Sequence, residues 1–308
     1  MSVRDDTSRH KGIGNGEKGY GRFVVAAVVV LAVLAALYYA QRETQTGWFR
    51  LREIRAASDE GFVYLLLRTD GTGAPDWSRV LYRIAIDTYD SDRGERMLPK
   101  PYEASIGTGA EFMIELAGPE HSVLRVTPSY DPYPLKGRTE EGGWIVSPRK
   151  STGQFVPLMF EANRERFARD GHRYAARYLD RGKLMFAGPG HDAKTDLGVS
   201  VAVGSQGAIE LRIPWALLNV SDPSSRRVLN GESRPEESET TETDGFRFYA
   251  YSFDKQKKKD PLADRLPGVG RTAALYTWQR WDQPKYTLEL KESAKAIAAT
   301  MKGLGPLR

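Results

Sequence analysis

The residues best suited to chemistry are the carboxylates of one acidic turn. Asp87, Asp90, Asp92 and Glu95 lie close together in the chain, with Gly94 among them. Calcium takes about six to eight oxygen ligands at flexible geometry, so several carboxylates on a glycine-containing loop predict a calcium site. The alternative is that the aspartates only hydrogen-bond to the backbone of the turn. No other metal or cofactor is predicted from this turn.

Four tryptophans are candidate sugar-binding residues: Trp77, Trp144, Trp278 and Trp281. An aromatic ring can pack on the C–H face of a sugar while polar neighbours bond the hydroxyl groups. Trp278 and Trp281 are three positions apart, so they face opposite sides of an ideal strand. We therefore expect one of the two to be buried and the other to be partly exposed. For each of the four, a place in the core is the alternative.

Catalytic residues are not evident in the sequence. His121, His172 and His191 stand in no metal-binding spacing and in no triad-like context. The chain has no cysteine, which excludes thiol nucleophiles, thiolate metal sites and disulfides. The net charge of +5 is spread over interleaved acidic and basic residues, which argues against a nucleic-acid partner. We therefore expect a protein that is not an enzyme.

An apolar run near the N-terminus predicts a membrane anchor. Phe23–Ala40 contains no charged residue, no glycine and no proline. A helix of this length rises about 27 Å, close to the thickness of the hydrocarbon layer, so the run is predicted to cross the membrane once and to contact lipid. A cleaved signal peptide is the alternative, although its apolar core would be shorter, at about 7–15 residues.

The segments on either side of the run predict the topology. Residues 1–22 are polar and rich in glycine and are predicted to be a disordered cytoplasmic tail. Basic residues flank the run on both sides, so the charge bias alone does not fix the orientation. A leading apolar segment after a basic tail behaves like an uncleaved signal, and we expect the main domain to be periplasmic or extracellular.

After the anchor, short apolar or alternating runs are separated by Gly, Pro, Asp and Asn. This pattern predicts one mainly β domain over residues 47–287, an antiparallel β-sandwich or barrel. The predicted strands are 61–70, 81–87, 110–116, 122–127, 197–203, 208–213, 246–253 and 275–281. Gly118-Pro119 separates two of them and predicts a hairpin.

Three segments depart from the β pattern. Residues 222–244 are polar and acidic and predict a solvated loop, and residues 255–264 predict a basic hairpin tip. Residues 288–301 carry apolar side chains at helical spacing and predict an amphipathic helix within a C-terminal segment, 288–308. This helix would pack on the domain or lie at a membrane surface.

Three segments carry a family resemblance. AASDEGFVYL at 56–65, IAIDTYD at 84–90 and IELRIPWALL at 209–218 resemble, in order, segments of the family 9 carbohydrate-binding modules and their DOMON-like relatives. The resemblance implies a DOMON-like β-sandwich that binds carbohydrate or another envelope polymer. Bound calcium in these modules agrees with the predicted acidic site.

Two other functions remain open at this point. A membrane-tethered β-domain could be a structural or assembly subunit that docks a partner enzyme of the envelope. DOMON-like domains also include haem-binding redox subunits with Met, His or Lys as axial ligand. Met113, Met159, Met185 and His172 are available for that role, but none stands in a diagnostic motif.

Overall fold

The computed structural model describes residues 29–37, 46–130, 137–138, 144–145, 153–186, 200–204, 206–230, 240–282 and 291–303. Within these residues strands predominate, which confirms a mainly β fold. The predicted tail, 1–22, lies outside the described residues.

The strands are numbered in chain order. The first eleven are β1 (Leu51–Ser58), β2 (Phe62–Thr69), β3 (Val80–Asp87), β4 (Glu95–Met97), β5 (Ser105–Ala110), β6 (Phe112–Leu116), β7 (Val123–Val126), β8 (Gly137–Arg138), β9 (Trp144–Ile145), β10 (Val156–Pro157) and β11 (Met159–Asn163). The others are β12 (Arg166–Phe167), β13 (Arg173–Tyr174), β14 (Arg177–Asp180), β15 (Met185–Phe186), β16 (Ser200–Val203), β17 (Ala208–Pro214), β18 (Val220–Asp222), β19 (Arg227–Leu229), β20 (Thr240–Glu242), β21 (Arg247–Asp254) and β22 (Leu262–Leu266). Pro128–Tyr130 and Trp215–Leu218 form 3₁₀ helices, and Glu292–Gly303 forms an α-helix.

A five-stranded sheet in the described part of the chain has the order β1-β2-β17-β16-β15. Its strands alternate: Val63, Leu65 and Leu67 of β2 are buried, while Tyr64 between them is exposed. One face of this sheet therefore meets the core and the other meets water. The prediction of a purely antiparallel fold is wrong at the edge of this sheet, because β15 and β16 pair in parallel.

A six-stranded sheet has the order β10-β7-β6-β3-β21-β22 within the described residues. Its central strand, β3, is buried at all eight positions, so both faces of this sheet are covered there. The predicted hairpin around Gly118-Pro119 is confirmed, because β6 and β7 pair antiparallel on either side of it.

The main core contains buried side chains from both sheets. Val63 and Leu211 come from the five-stranded sheet, and Ile84, Ile114 and Phe248 come from the six-stranded sheet. Because one cluster contains side chains of both sheets, the apolar faces of the two sheets are removed from water together.

A second buried cluster covers the opposite face of the six-stranded sheet, here called its outer face. Leu98 and Ile106, which lie in and beside the β4–β5 pair, are buried there in one cluster with Tyr249 of β21. Gly107 and Gly109 allow β5 to lie close to Tyr249 and to the backbone of Arg93, because neither has a side chain. A Cβ atom on Gly107 would lie 2.7 Å from the Tyr249 ring, and one on Gly109 would lie 1.3 Å from the Arg93 carbonyl oxygen.

Two of the segments that carry the family resemblance touch each other. Asp59 closes the β1–β2 turn by accepting hydrogen bonds from the backbone N–H groups of Gly61 and Phe62, both at 2.8 Å. The indole N–H of Trp215 donates to the Asp59 carbonyl oxygen at 2.9 Å. Pro214 ends β17 and begins the 3₁₀ turn that buries Trp215, as its fixed φ and missing N–H predict.

Two predictions about the C-terminal half need correction. Residues 275–281 do not form a strand; only Tyr276 pairs, in an isolated bridge to Phe246. The acidic segment 222–244 is not one solvated loop, because its flanks belong to a three-stranded sheet of β18, β19 and β20. Its centre, 231–239, lies outside the described residues.

The N-terminal apolar run is described only in its middle. Residues 29–37 are helical, and their large apolar side chains, such as Leu31 and Leu37, are exposed. No helix among the described residues is both long and apolar enough to span a membrane. The remainder of the run, 23–28 and 38–40, lies outside the described residues, and the anchor stays a prediction.

The C-terminal helix is present over Glu292–Gly303 and is preceded by the described residue Lys291. The rest of the predicted segment, 288–290 and 304–308, lies outside the described residues. Ile297 is 61% exposed, and the other described side chains of the helix are exposed or half-buried. Of the two expected placements, the exposure of the described side chains does not favour packing on the domain, and a place at a membrane surface stays a prediction.

Candidate functional site

A cavity of about 600 Å³ lies on the outer face of the six-stranded sheet, and we call it the outer-face cavity. Strands β3, β6 and β7 provide its floor, and the segments 97–103 and 153–155 provide its walls. Its lining residues include Arg83, Glu115, Arg125, Tyr102, Gln154 and Phe155. The cavity therefore combines charged groups on a rigid sheet with an aromatic wall, a combination typical of sites that bind small polar ligands.

Arg83 organises the floor of the cavity. It lies in the middle of an otherwise apolar strand and is 4% exposed. Glu115 stands directly opposite on β6 and accepts a hydrogen bond from Arg83 Nε at 2.8 Å. Arg83 also donates to the carbonyl oxygens of Pro99 and Tyr102, which ties the wall to the floor. A buried guanidinium with this many partners is fixed in position before any ligand arrives.

The electrostatics of the floor follow from burial. Loss of water lowers the pKa of Arg83, and the neighbouring Glu115 carboxylate opposes that change. The guanidinium lies 5.5 Å from the centre of the Tyr102 ring and 5.9 Å from that of Phe253, within cation–π range. Arg125 lies on the neighbouring strand β7, half-buried in the cavity lining. The charged groups on the floor of the cavity are thus one neutralised pair and a second guanidinium.

The predicted calcium ligands are not brought together. Asp87 is buried at the end of β3 and accepts a hydrogen bond from Ser91 at 2.7 Å. Asp90 pairs with Arg93 and Asp92 pairs with Arg96, each at 3.2 Å. In the described part of the chain, no three or more His, Asp or Glu side chains are placed to hold one metal ion.

Glu95, the fourth predicted ligand, has a separate role. It is buried and accepts a hydrogen bond from the backbone N–H of Gly153 at 3.1 Å. This contact joins the β4 strand to the segment that walls the outer-face cavity. Calcium binding by the acidic turn stays a prediction, although the described arrangement would have to change to supply the ligands.

Sequence reasoning missed Glu111 as a functional candidate. It is 1% exposed, and its Oε2 accepts from the Thr88 backbone N–H at 2.8 Å, while its Oε1 has no partner. Burial raises the pKa of Glu111 to about 8, and the nearby Asp87 contributes to the rise. The only signal was an acidic residue at the start of a predicted apolar strand, and such residues are common in this chain.

The predicted tryptophans do not form one platform. Trp278 is 7% exposed, and its ring centre lies 4.5 Å from that of Trp215. Trp281 is 37% exposed, so the expectation that one of the two is buried and the other partly exposed is confirmed. Trp77 is half-buried and packs edge-on against Phe186 at 5.7 Å. Trp144 lies on β9, and its side chain is outside the described part of the structure.

The predicted haem ligands are in different environments. Met113 is buried on β6 at the floor of the outer-face cavity. His172 is exposed and packs against Tyr174 on the β12–β13 hairpin, and Met185 is exposed on β15. Met159 is half-buried on β11. Met113 lines the outer-face cavity but the other three do not, so this cavity does not supply the two ligands that haem ligation from both sides would need.

Comparison with known proteins does not assign the chain to a family. No protein-family description matches it, and no curated protein has a recognisably similar sequence.

Proposed function

We propose that this chain is a membrane-anchored, non-catalytic binding module outside the cytoplasm, and that its outer-face cavity takes a polyhydroxylated, carbohydrate-type ligand of the envelope. The observation that supports this most is the prearranged Arg83–Glu115 pair on the cavity floor beside the Tyr102 ring. Sugar hydroxyl groups both donate and accept, so a carboxylate, guanidinium groups and Gln154 can serve them together, while a ring contacts C–H groups.

Two further observations support the remaining parts of this proposal. The cluster shared by the two sheets favours a β-sandwich, and its DOMON-like kind is proposed from the resemblance of residues 56–65, 84–90 and 209–218. The exposed apolar side chains of residues 29–37 favour lipid as their surroundings, because large exposed apolar surfaces are unfavourable in water.

The test uses the full chain in a detergent without a sugar headgroup. Purified peptidoglycan, xylan and β-glucan are immobilised in separate gels, and retardation of the protein is measured. Arg125→Ala, in the cavity, should weaken retardation about ten-fold or more, because a hydrogen bond to a charged group is lost. Arg68→Ala, on the exposed face of β2, is the matched control and should bind normally.

A third variant separates the cavity from the aromatic platform predicted by sequence. Trp281→Ala removes the exposed tryptophan and should leave retardation unchanged if the ligand lies in the outer-face cavity. Loss of binding in Trp281→Ala with normal binding in Arg125→Ala would move the site to Trp281. Failure of the wild-type chain to bind any of the three polymers would count against the carbohydrate proposal.

A specific observation favours the assembly alternative as a second candidate. The paired strands β11–β14 and β12–β13 expose Phe167 (67%) and Tyr174, both large aromatic side chains. Exposed aromatic groups are enriched at protein interfaces. A photo-crosslinking residue at position 167 should then give one dominant adduct in cells, and the same residue at position 60 should give none.

A further inference from the structure

A basic tip, residues 255–260, joins β21 to β22. It contains Lys255, Lys257, Lys258 and Lys259 against a single acidic residue, Asp260. All of its residues from 256 onward are exposed. The tip therefore places several positive charges on one short loop in contact with solvent.

The tip lies at the end of the domain where the chain arrives from the apolar run. Ser252, near the end of β21, donates a hydrogen bond to the Phe49 carbonyl oxygen at 2.6 Å. The Lys255 backbone N–H donates to the Arg79 carbonyl oxygen at 2.8 Å, and the Arg79 guanidinium lies 5.3 Å from the Phe49 ring centre. These contacts place the tip beside Phe49, close to where the described residues of the domain begin.

The base of the tip is braced from within. The Lys255 ammonium donates to the Trp77 carbonyl oxygen, and Asp254 pairs with Arg79 at 3.2 Å. The Lys257 backbone N–H donates to the Asp254 carbonyl oxygen at 3.1 Å. Lys255 therefore holds the base of the loop, and the side chains of Lys257, Lys258 and Lys259 are exposed to solvent beyond it.

Chain length keeps this end of the domain near the end of the apolar run. Only residues 41–45 separate Ala40 from the described residue Thr46, and an extended chain covers at most about 3.5 Å per residue. Thr46 therefore lies within about 20 Å of the run. Strand β1 leads away from this end to the Asp59 turn, so that turn faces the opposite direction.

We propose that Lys257, Lys258 and Lys259 bind the anionic phospholipid head groups of the membrane that holds the apolar run, and so hold the domain upright on the bilayer. The inference rests on the proposed anchor, but not on the ligand of the outer-face cavity. Two acidic side chains reduce the positive charge at this end: Asp260 lies in the tip itself, and Asp264 accepts a hydrogen bond from the Leu51 backbone N–H at 2.8 Å. They do not cancel the three exposed lysines.

The expected strength follows from the charge. Each lysine near an anionic bilayer contributes about five-fold in affinity, so three lysines contribute on the order of 100-fold. The interaction should weaken when salt shortens the range of the charges to about 10 Å or less. The measurement should therefore detect a contact between the tip and the bilayer that requires anionic lipid and weakens in high salt.

The absence of native cysteine allows a single label to be placed cleanly. The full chain carrying Gln256→Cys with a spin label is reconstituted in nanodiscs of phosphatidylcholine, with or without phosphatidylglycerol. We expect the label mobility to fall only in the anionic discs and to recover in high salt. The matched control is Glu60→Cys at the opposite end of β1, whose label should be equally mobile in both lipids.

The triple substitution of Lys257, Lys258 and Lys259 by Gln, combined with the label at position 256, should abolish the lipid-dependent change. The inference is overturned if the label at 256 is equally mobile in both lipids, or if the triple variant keeps the change. If the chain does not enter nanodiscs, the anchor proposal fails, and the same label with anionic vesicles still decides whether the tip binds lipid.

Discussion

The two large sheets of this protein use similar strands in different surroundings. Strand β2 of the five-stranded sheet alternates between buried and exposed side chains, whereas β3 of the six-stranded sheet is buried at every position. The difference arises from the β4–β5 segment and its neighbours, which cover the outer face of the six-stranded sheet. A charged side chain on that face is surrounded by protein, and the candidate site is found there, whereas one on the open face of β2 is surrounded by water.

The largest difference in stability should appear between two variants: one that removes a tyrosine from the covered face of the six-stranded sheet and one that removes a tyrosine from the open face of the five-stranded sheet. Tyr249 on β21 is 2% exposed and packs under β5, while Tyr64 on β2 is 36% exposed and hydrogen-bonds to Asp59. Tyr249→Ala should cost about 3–5 kcal/mol because it leaves a cavity. Tyr64→Ala should cost about 1 kcal/mol or less. Urea unfolding of both variants measures the difference, and equal losses would contradict the comparison.

A charge on each face provides the second test. Arg83→Met leaves Glu115 without its partner and should cost about 3 kcal/mol, whereas Arg68→Met, on the exposed face of β2, should change stability by less than about 0.5 kcal/mol. Replacing Glu115 by Leu in the Arg83→Met background should recover part of the loss, because no unpaired charge then remains. A double variant no more stable than Arg83→Met would refute the importance of that pair.

Stability should also depend on pH through Glu111. Its pKa is about 8 in the folded chain, above its ordinary value of 4.5, so folding takes up a proton between these values. Stability should therefore fall as pH rises from about 4.5 to 8, by on the order of a few kcal/mol, and should change little from this group beyond that range. Glu111→Gln should flatten the curve, as followed by thermal unfolding at several pH values. An unchanged slope in the variant would exclude Glu111 as its source.

The smallest effect is expected at the acidic turn that follows β3. Calcium binding at Asp90 and Asp92 would have to break the ion pair that each makes with an arginine, so any rise in melting temperature from EDTA to calcium should be small. A rise with calcium that is lost in the Asp90→Asn, Asp92→Asn double variant would show that the turn rearranges around the ion. That result would restore the site predicted from the sequence.

Local patterns predicted the parts of the fold that depend on local chemistry. The turn at Gly118-Pro119 and the strand ending at Pro214 follow from residues that restrict the backbone directly. Residues 275–281 have the composition of a strand, but Phe246 offers only one bridge to Tyr276, and propensity without a pairing partner does not make a ladder.

The candidate site could not be predicted in the same way. Arg83 and Glu115 meet because β3 pairs with β6, and Phe155 joins them from a distant segment. No spacing in the sequence relates these residues. The predicted acidic ligands were neighbours in the chain, yet Asp87 is buried while Asp92 faces solvent, because a strand ends between them.

The contact between Trp215 and Asp59 has a consequence for folding of the chain during its synthesis on the ribosome. The two residues are 156 positions apart, and strand β17 beside Trp215 is also the inner partner of β2. A ribosome adds about 5–20 residues per second, so about 8–30 s pass between the synthesis of β2 and that of this partner. During this time an apolar strand has one unpaired edge, which is open to pairing with other chains. A nascent chain that stalls before Trp215 therefore keeps this edge of β2 open, and a chaperone that covers the edge would prevent such pairing.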